Sequence, residues 1–323
     1  MLLTLFSAVF LIFLIYNPAL CTLGATKGLS LWYKQVLPAL FPAMAAASFL
    51  ISRKSVQTAL KHLPFPSGAA FLSGLLCGSP MGALTCSGLY ASKLLSKRAA
   101  RWIVCFVQLP SPLFLSGFVA SALLALPTKM RFVFLLCAYL PFFASFLLCT
   151  LLFLLKSVAK RSISTKKNVQ ETSSPEPSLN DICDTCLLLL VRIGVLLMFF
   201  SILSEFLTIV TLQSTAQTIL IGMLEMTTGI SKISSLNTLS LRYKSAICLF
   251  LLGFGGICVH IQVRQAWQQS DFPIFRYILV RFLFGLCSSP YPAAATAAIF
   301  PACTPKNRES IAIATRMTPR WMI

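Results

Sequence analysis

The chain has 323 residues, 57% of them hydrophobic and only 11% charged, which excludes a soluble globular domain, where charged residues make up about a quarter. Its 27 Lys and Arg against 8 Asp and Glu give a net charge of +19. These cations lie between long uncharged runs, which excludes a basic nucleic-acid-binding face and matches the residues that fix the topology of a membrane protein.

The runs 1–26, 102–128, 132–155 and 282–305 contain no Asp, Glu, Lys or Arg, and each can cover the roughly 20 residues of a bilayer-crossing helix. Hydropathy and charge together give nine hydrophobic segments, near 2–20, 35–51, 68–90, 102–126, 131–155, 185–210, 215–231, 244–263 and 274–300. The fold class predicted is all-α: a polytopic integral membrane protein, with broken or re-entrant helices among its segments.

The first segment lacks a basic leader and a small-residue cleavage site, so a retained helix is expected over a signal peptide. Residues 21–34 read as a cytoplasmic loop if the N-terminus lies outside, the orientation favoured by the distribution of Lys and Arg. Segment 35–51 is short and carries Pro38 and Pro42, and 68–90 carries Gly74, Gly78, Pro80 and Gly82. Those four positions are the predicted helix breaks of the first half. In 102–126, Pro110 and Pro112 remove two backbone donors and leave carbonyls that need partners in a cavity or a neighbouring helix. Gln108 and Ser111 would supply polar lining there.

Lys156–Asp184 is polar, charge-dense and rich in Ser, and is expected to be a disordered linker. In the sixth segment, Arg192 and Glu205 lie about 20 Å apart along a helix, so each pairs with another segment or snorkels to an interface. Arg276 and Arg281 are assigned with the cations outside.

Segment 215–231 contains Glu225. A carboxylate in an apolar segment is costly unless paired, neutralised or exposed to water, and is a functional hypothesis by default. Thr227, Thr228 and Gly229 would add hydroxyls and a flexible backbone. The alternative is a glutamate at a helix end reaching interfacial water. Segment 244–263 reads GFGGICVHIQ from 253, where Gly253, Gly255 and Gly256 permit either a break or a close helix contact. His260 and Gln262 are two residues apart and share no helix face, so they converge only on an irregular backbone.

The halves are related in pattern. Phe71–Leu75 matches Phe250–Phe254 at an offset of 179 residues, Gly74 to Gly253, and Ser111-Pro112 matches Ser289-Pro290 at 178, Ser111 to Ser289. The expected organisation is a first membrane repeat over 1–156, a linker over 157–184, a second repeat over 185–302 and a basic tail over 303–323. Five segments in one copy and four in the other would invert the copies, as in many secondary transporters.

The stretches GLSLWYKQVLPALFP at 28–42, SGLLCGSPMGALTCSGLYASKLLSKRAAR at 73–101, PSPLFLSG at 110–117, EMTTGI at 225–230 and GFGGICVHIQ at 253–262 resemble the YlbJ-like sporulation integral membrane proteins, within the wider nucleoside-recognition, or Gate-domain, membrane family. The Gate-like cores would be about 28–126 and 215–300. The resemblance implies a multi-pass protein of the mother-cell or forespore membrane, needed for spore formation. It departs from the family where an N-x-x-G-P is usual and this chain reads Gln108-Leu109-Pro110-Ser111-Pro112.

The predicted function is transport or sensing of a small polar solute or cation, at a site between the repeats formed by Glu225, Thr227, Thr228, His260, Gln262, Gln108 and Ser111. The alternative is a non-transporting organiser of the spore envelope. The expected partners are the lipid bilayer, such a solute, and a homo-oligomer or other sporulation membrane proteins, with no nucleic acid. No enzymatic, nucleotide-binding, metal or cofactor motif is found; Cys183-x-x-Cys186 has redox spacing but no second pair.

Overall fold

The computed structural model describes residues 2–53, 55–56, 67–91, 93, 95–159, 178–209, 214–267 and 271–289, and every regular element among them is helical. Most of the linker, Pro290 of the second Ser-Pro and the tail 303–323 lie outside the described residues. In chain order the helices are α1 (Leu2–Tyr16), α2 (Pro18–Leu31), α3 (Leu37–Ser52), α4 (Ser67–Cys77), α5 (Met81–Ala91), α6 (Lys97–Ile103), α7 (Thr128–Ala159), α8 (Leu179–Leu207), α9 (Ser214–Leu224), α10 (Met226–Ser235), α11 (Leu241–Phe254), α12 (Gly256–Ala266) and α13 (Ile274–Ser288). Two π-helical stretches, Trp32–Val36 and Phe114–Leu123, join them.

Among the described residues, three helical runs are long and apolar enough to cross a membrane: Thr128–Leu152, Leu179–Leu207 and Leu241–Ala266. A fourth is obtained if the stretches Ser7–Tyr16 and Pro18–Leu50, which meet at 105°, count as one span. Of the nine hydrophobic segments expected, the others are represented among the described residues by shorter apolar helices. Segments 68–90, 102–126 and 215–231 and the described part of 274–300 are apolar as read, but their described helices are pieces of 7 to 15 residues. Hydropathy measures solubility in lipid and is blind to where the backbone turns.

The loop expected over 21–34 is also corrected, because α2 is helical there and continues through the π-helical turn into α3. At its start Pro18 occupies the first turn and lacks the N–H that would extend α1. Gly24 and Gly28 then let α2 lie backbone to backbone on α8. A Cβ at Gly24 would sit 2.6 Å from the Ile202 Cα, and one at Gly28 2.7 Å from the Met198 Cα. Trp32 Nε1 donates to the Leu190 carbonyl at 2.8 Å, so the paired positions run in opposite directions and the helices are antiparallel. Small residues four apart are the usual device for close contact of helices in lipid.

Lys27 is what made this stretch read as a loop, and it is part of the same contact. Its Nζ lies 3.1 Å from Glu205 Oε2, while Lys232 of α10 approaches Oε1 at 3.5 Å. Glu205 therefore finds partners on two other helices, and Arg192 is exposed.

Gly74 and Gly82, expected as breaks, lie inside α4 and α5 and serve a different purpose. The Val107 carbonyl passes between these helices, 1.8 Å from a Cβ built at Gly74 and 2.2 Å from one at Gly82. The chain turns instead at Gly78, whose φ is +78°, before Pro80. At one rim the Asp271 carboxylate accepts from Lys97 Nζ at 3.2 Å, Trp267 Nε1 at 3.4 Å and Tyr90 Oη at 3.4 Å, tying α5 and α6 to the turn before α13. Burial alone would raise the Asp271 pKa, but the hydrogen bonds from Lys97 and Trp267 outweigh it and hold the carboxyl below its usual value of 3.8.

Two outcomes are expected. Gly74→Ala drives a methyl into a backbone carbonyl and should destabilise the protein by about 2–3 kcal/mol, read as a lower midpoint of thermal aggregation in detergent; Gly117→Ala, with open space around it, should be near neutral. Asp271→Asn should cost under about 1 kcal/mol at neutral pH, because Lys97 is largely exposed. The depressed carboxyl contributes above its unfolded pKa, so the gap between wild type and Asp271→Asn should close as pH falls through the folded value.

Candidate functional site

Four interruptions of helical backbone meet at one cavity. They lie at Gly78–Pro80 between α4 and α5, at 107–113 before the second π-helix, at Glu225 between α9 and α10, and at Gly255 between α11 and α12. The cavity has a volume of about 60 Å³, and its polar lining is Ser79, Gln108, Ser111, Glu225, Thr227, Gln262 and Arg281. Space of that size holds roughly four to six water molecules, or a solute with a handful of heavy atoms.

Each polar group is set by the local chain. Glu225 leaves the helical region (φ −140°, ψ 110°) and becomes the N-cap of α10. Its Oε1 accepts from the Thr227 N–H at 2.9 Å and its Oε2 from the Thr228 N–H, satisfying two of the donors that a helix start leaves free. The carboxylate is 2% exposed, and no cation lies within ion-pair distance of it among the described residues. Gly229, expected as a break, is inside α10, where a Cβ would come within 2.1 Å of the Gly222 Cα. It lets α9 and α10 fold tightly back on each other, with Glu225 at the bend.

Ser111, which also lines the cavity, accepts through Oγ from the Phe114 N–H at 3.3 Å, ahead of the π-helix. Gln108 is 1% exposed, and neither its Oε1 nor its Nε2 has a hydrogen-bond partner among the described residues. A buried amide without partners costs about 1–3 kcal/mol, and this one borders the cavity.

At the fourth break Gly255 adopts φ +92° and ends α11, its N–H donating to the Leu251 carbonyl at 2.7 Å, and Gly256 follows with φ +73°. Gly253 stays inside α11, in contact with Gly285 of α13. From Gly256 onward α12 is regular, so His260 and Gln262 diverge. Gln262 lines the cavity, its Nε2 donating to Cys258 Sγ at 3.4 Å. His260 stands edge-on between the rings of Phe254 and Tyr277, at 4.8 and 5.3 Å, outside the cavity lining. The expectation that it joins Gln262 in the site is corrected: the glycines bend the chain ahead of both residues and leave the stretch that separates them helical. Thr227 lines the cavity, whereas Thr228 lies beside it, 3.4 Å from Ser201 Oγ.

The residue that the sequence reading placed wrongly is Arg281. Counted as an outside cation, it is 2% exposed in the middle of α13. Nη1 donates to the Gln108 carbonyl at 2.6 Å, Nη2 to Leu252 O at 3.1 Å and Nε to Phe254 O at 3.3 Å, and the guanidinium carbon lies 5.0 Å from the centre of the Phe142 ring. The acceptors are carbonyls that the sequence leaves over. Pro112 lacks the N–H that a helix would deliver to Gln108 O, and Leu252 and Phe254 are in the last turn of α11. The signal available in the sequence was Arg281 itself, flanked by apolar residues over 277–287 with no acidic residue among them.

These features define a class: a multi-pass helical membrane protein whose interrupted helices border a small, largely apolar cavity that carries a few polar groups. Within that class the chain is similar to the sporulation integral membrane protein YlbJ of Bacillus subtilis (strain 168), with 24% identity over 345 aligned positions covering 89% of this chain and 81% of the relative. No family model matches the chain, so the Gate-domain part of the resemblance rests on the motifs alone, and no solved structure matches it.

Because the Glu225 carboxylate is the cap of α10, Glu225→Ala should lower stability by about 1–2 kcal/mol. Glu225→Gln, which keeps one acceptor oxygen, should lose roughly half as much. Thermal midpoints of the two variants in the same detergent check the order.

Proposed function

We propose that the chain is a permease-like membrane protein, required for spore formation, that transports or senses a small polar solute held in this cavity without converting it. The observation that carries the reading is Gln108: a fully buried amide with an unpaired donor and an unpaired acceptor bordering a cavity ringed by four interruptions in the backbone. Irregular backbone at membrane depth is tolerated where it is buried in protein or lines a cavity, and in secondary transporters such breaks form the solute site. Glu225 would bind a cationic or hydrogen-bond-donating part of the solute, with Gln262, Ser111 and Thr227 completing the shell.

The inverted-repeat organisation belongs to this proposal. Its support is that two of the breaks, at Gly78 and Gly255, share a left-handed glycine following an apolar helix and lie 255 − 78 = 177 residues apart, close to the offsets of the sequence matches. The similarity to YlbJ supports a sporulation role, in the mother-cell or forespore membrane.

In a sporulating host lacking its own copy, Gln108→Leu and Glu225→Gln are expected to reduce spore yield at least about tenfold while the protein stays in the membrane at wild-type abundance. Metabolite profiles of the developing spores should change in step. Full spore yield from both variants would instead support the organiser role.

A further inference from the structure

Beside the cavity lie backbone carbonyls that the broken helices release. Backbone carbonyls released by broken helices are the groups with which transporters of this construction coordinate a coupling cation. Here three such oxygens converge on one point: Gln108 O from one side of the junction, and Leu252 O and Phe254 O from the end of α11. That point is taken by the Arg281 guanidinium, which is planar, always charged and able to donate in several directions at once. Among the described residues no carboxylate lies within ion-pair distance of it. Glu225 borders the same cavity without pairing with it, so the carbonyls are what compensates this charge.

We infer that Arg281 is the resident cation of the junction, a tethered positive charge occupying the carbonyl set that would otherwise hold a coupling metal ion. The protein therefore carries its own ion at this point, and its folded state is indifferent to sodium there. Arg281 is a positioning residue: its three hydrogen bonds fix the Gln108 backbone relative to the end of α11 and so set the width of the cavity. The inference deepens the proposed reading of the cavity, but its test does not depend on transport.

The test is thermal melting of the purified full chain in detergent or nanodiscs. Replacing sodium chloride by choline chloride at equal ionic strength should leave the wild-type midpoint unchanged. Arg281→Ala should lower the midpoint by about 5–10 °C, and low-millimolar guanidinium chloride should recover at least half of that loss while leaving wild type unaffected. Sodium at tens of millimolar should stabilise Arg281→Ala more than choline does, a response that loss of packing alone would not produce. A wild-type midpoint that rises selectively with sodium overturns the inference. So does an Arg281→Ala protein that melts like wild type, or one that neither guanidinium nor sodium stabilises. Should Arg281→Ala yield no folded protein, the wild-type sodium comparison still decides, joined by Arg281→Lys, expected to melt between the two and to be indifferent to sodium. If these thermal results hold while Gln108→Leu and Glu225→Gln support full spore yield, the resident cation stands and the solute-site reading falls.

Discussion

The arrangement rests on one guanidinium meeting three carbonyls. In lipid, a helix interrupted at membrane depth exposes polar backbone that water cannot reach, and each such group costs several kcal/mol if left alone. Arg281 answers for two interruptions at once, taking Gln108 O from the segment broken by Pro110 and Pro112 and Leu252 O and Phe254 O from the helix ended by Gly255. The dependence is mutual, since a buried arginine is tolerable only among acceptors. The breaks and the cation therefore stabilise one another, and the cavity exists in the space they hold open.

What the sequence made legible were the places where the backbone has no choice. Pro110 and Pro112 lack a donor whatever surrounds them, and Gly78, Gly255 and Gly256 take a positive φ that glycine permits, although the same permission at Gly74, Gly82, Gly229 and Gly253 goes unused. Glu225 stood out as one acid in an apolar run. The sequence did not reveal partnerships across distance. Hydropathy treats a lysine or arginine as a marker of the interface, so Lys27 turned a helix into a loop and Arg281 was placed outside. Each in fact meets its partner through groups more than 170 positions away, and nothing local announces that. His260 and Gln262 were judged by the glycines before them, whereas the helix resumes at Gly256 and sends them to different neighbours.

Two kinds of glycine shape the structure. Gly78, Gly255 and Gly256 are joints, where only the absence of a side chain permits the turn. Gly24, Gly28, Gly74, Gly82, Gly229 and Gly253 are contacts, where another chain segment comes too near for a methyl group. A count of glycines per segment mixes the two. The contact glycines hold helices together, while the joint glycines shape the cavity.

Helix α10 carries both ends of a further relation. Its first residue follows Glu225 at the cavity, and two turns along, Lys232 reaches Glu205, which Lys27 of α2 holds as well. The helix thus links the cavity at its start to the shared Glu205 contact near its end. A shift of α10 would lengthen the Lys232 contact and leave Glu205 to Lys27. Helix α8 carries Glu205 and also lends Ile193 and Leu197 to the cavity wall, so the contact between α2 and α8 is joined to the cavity both directly and through α10.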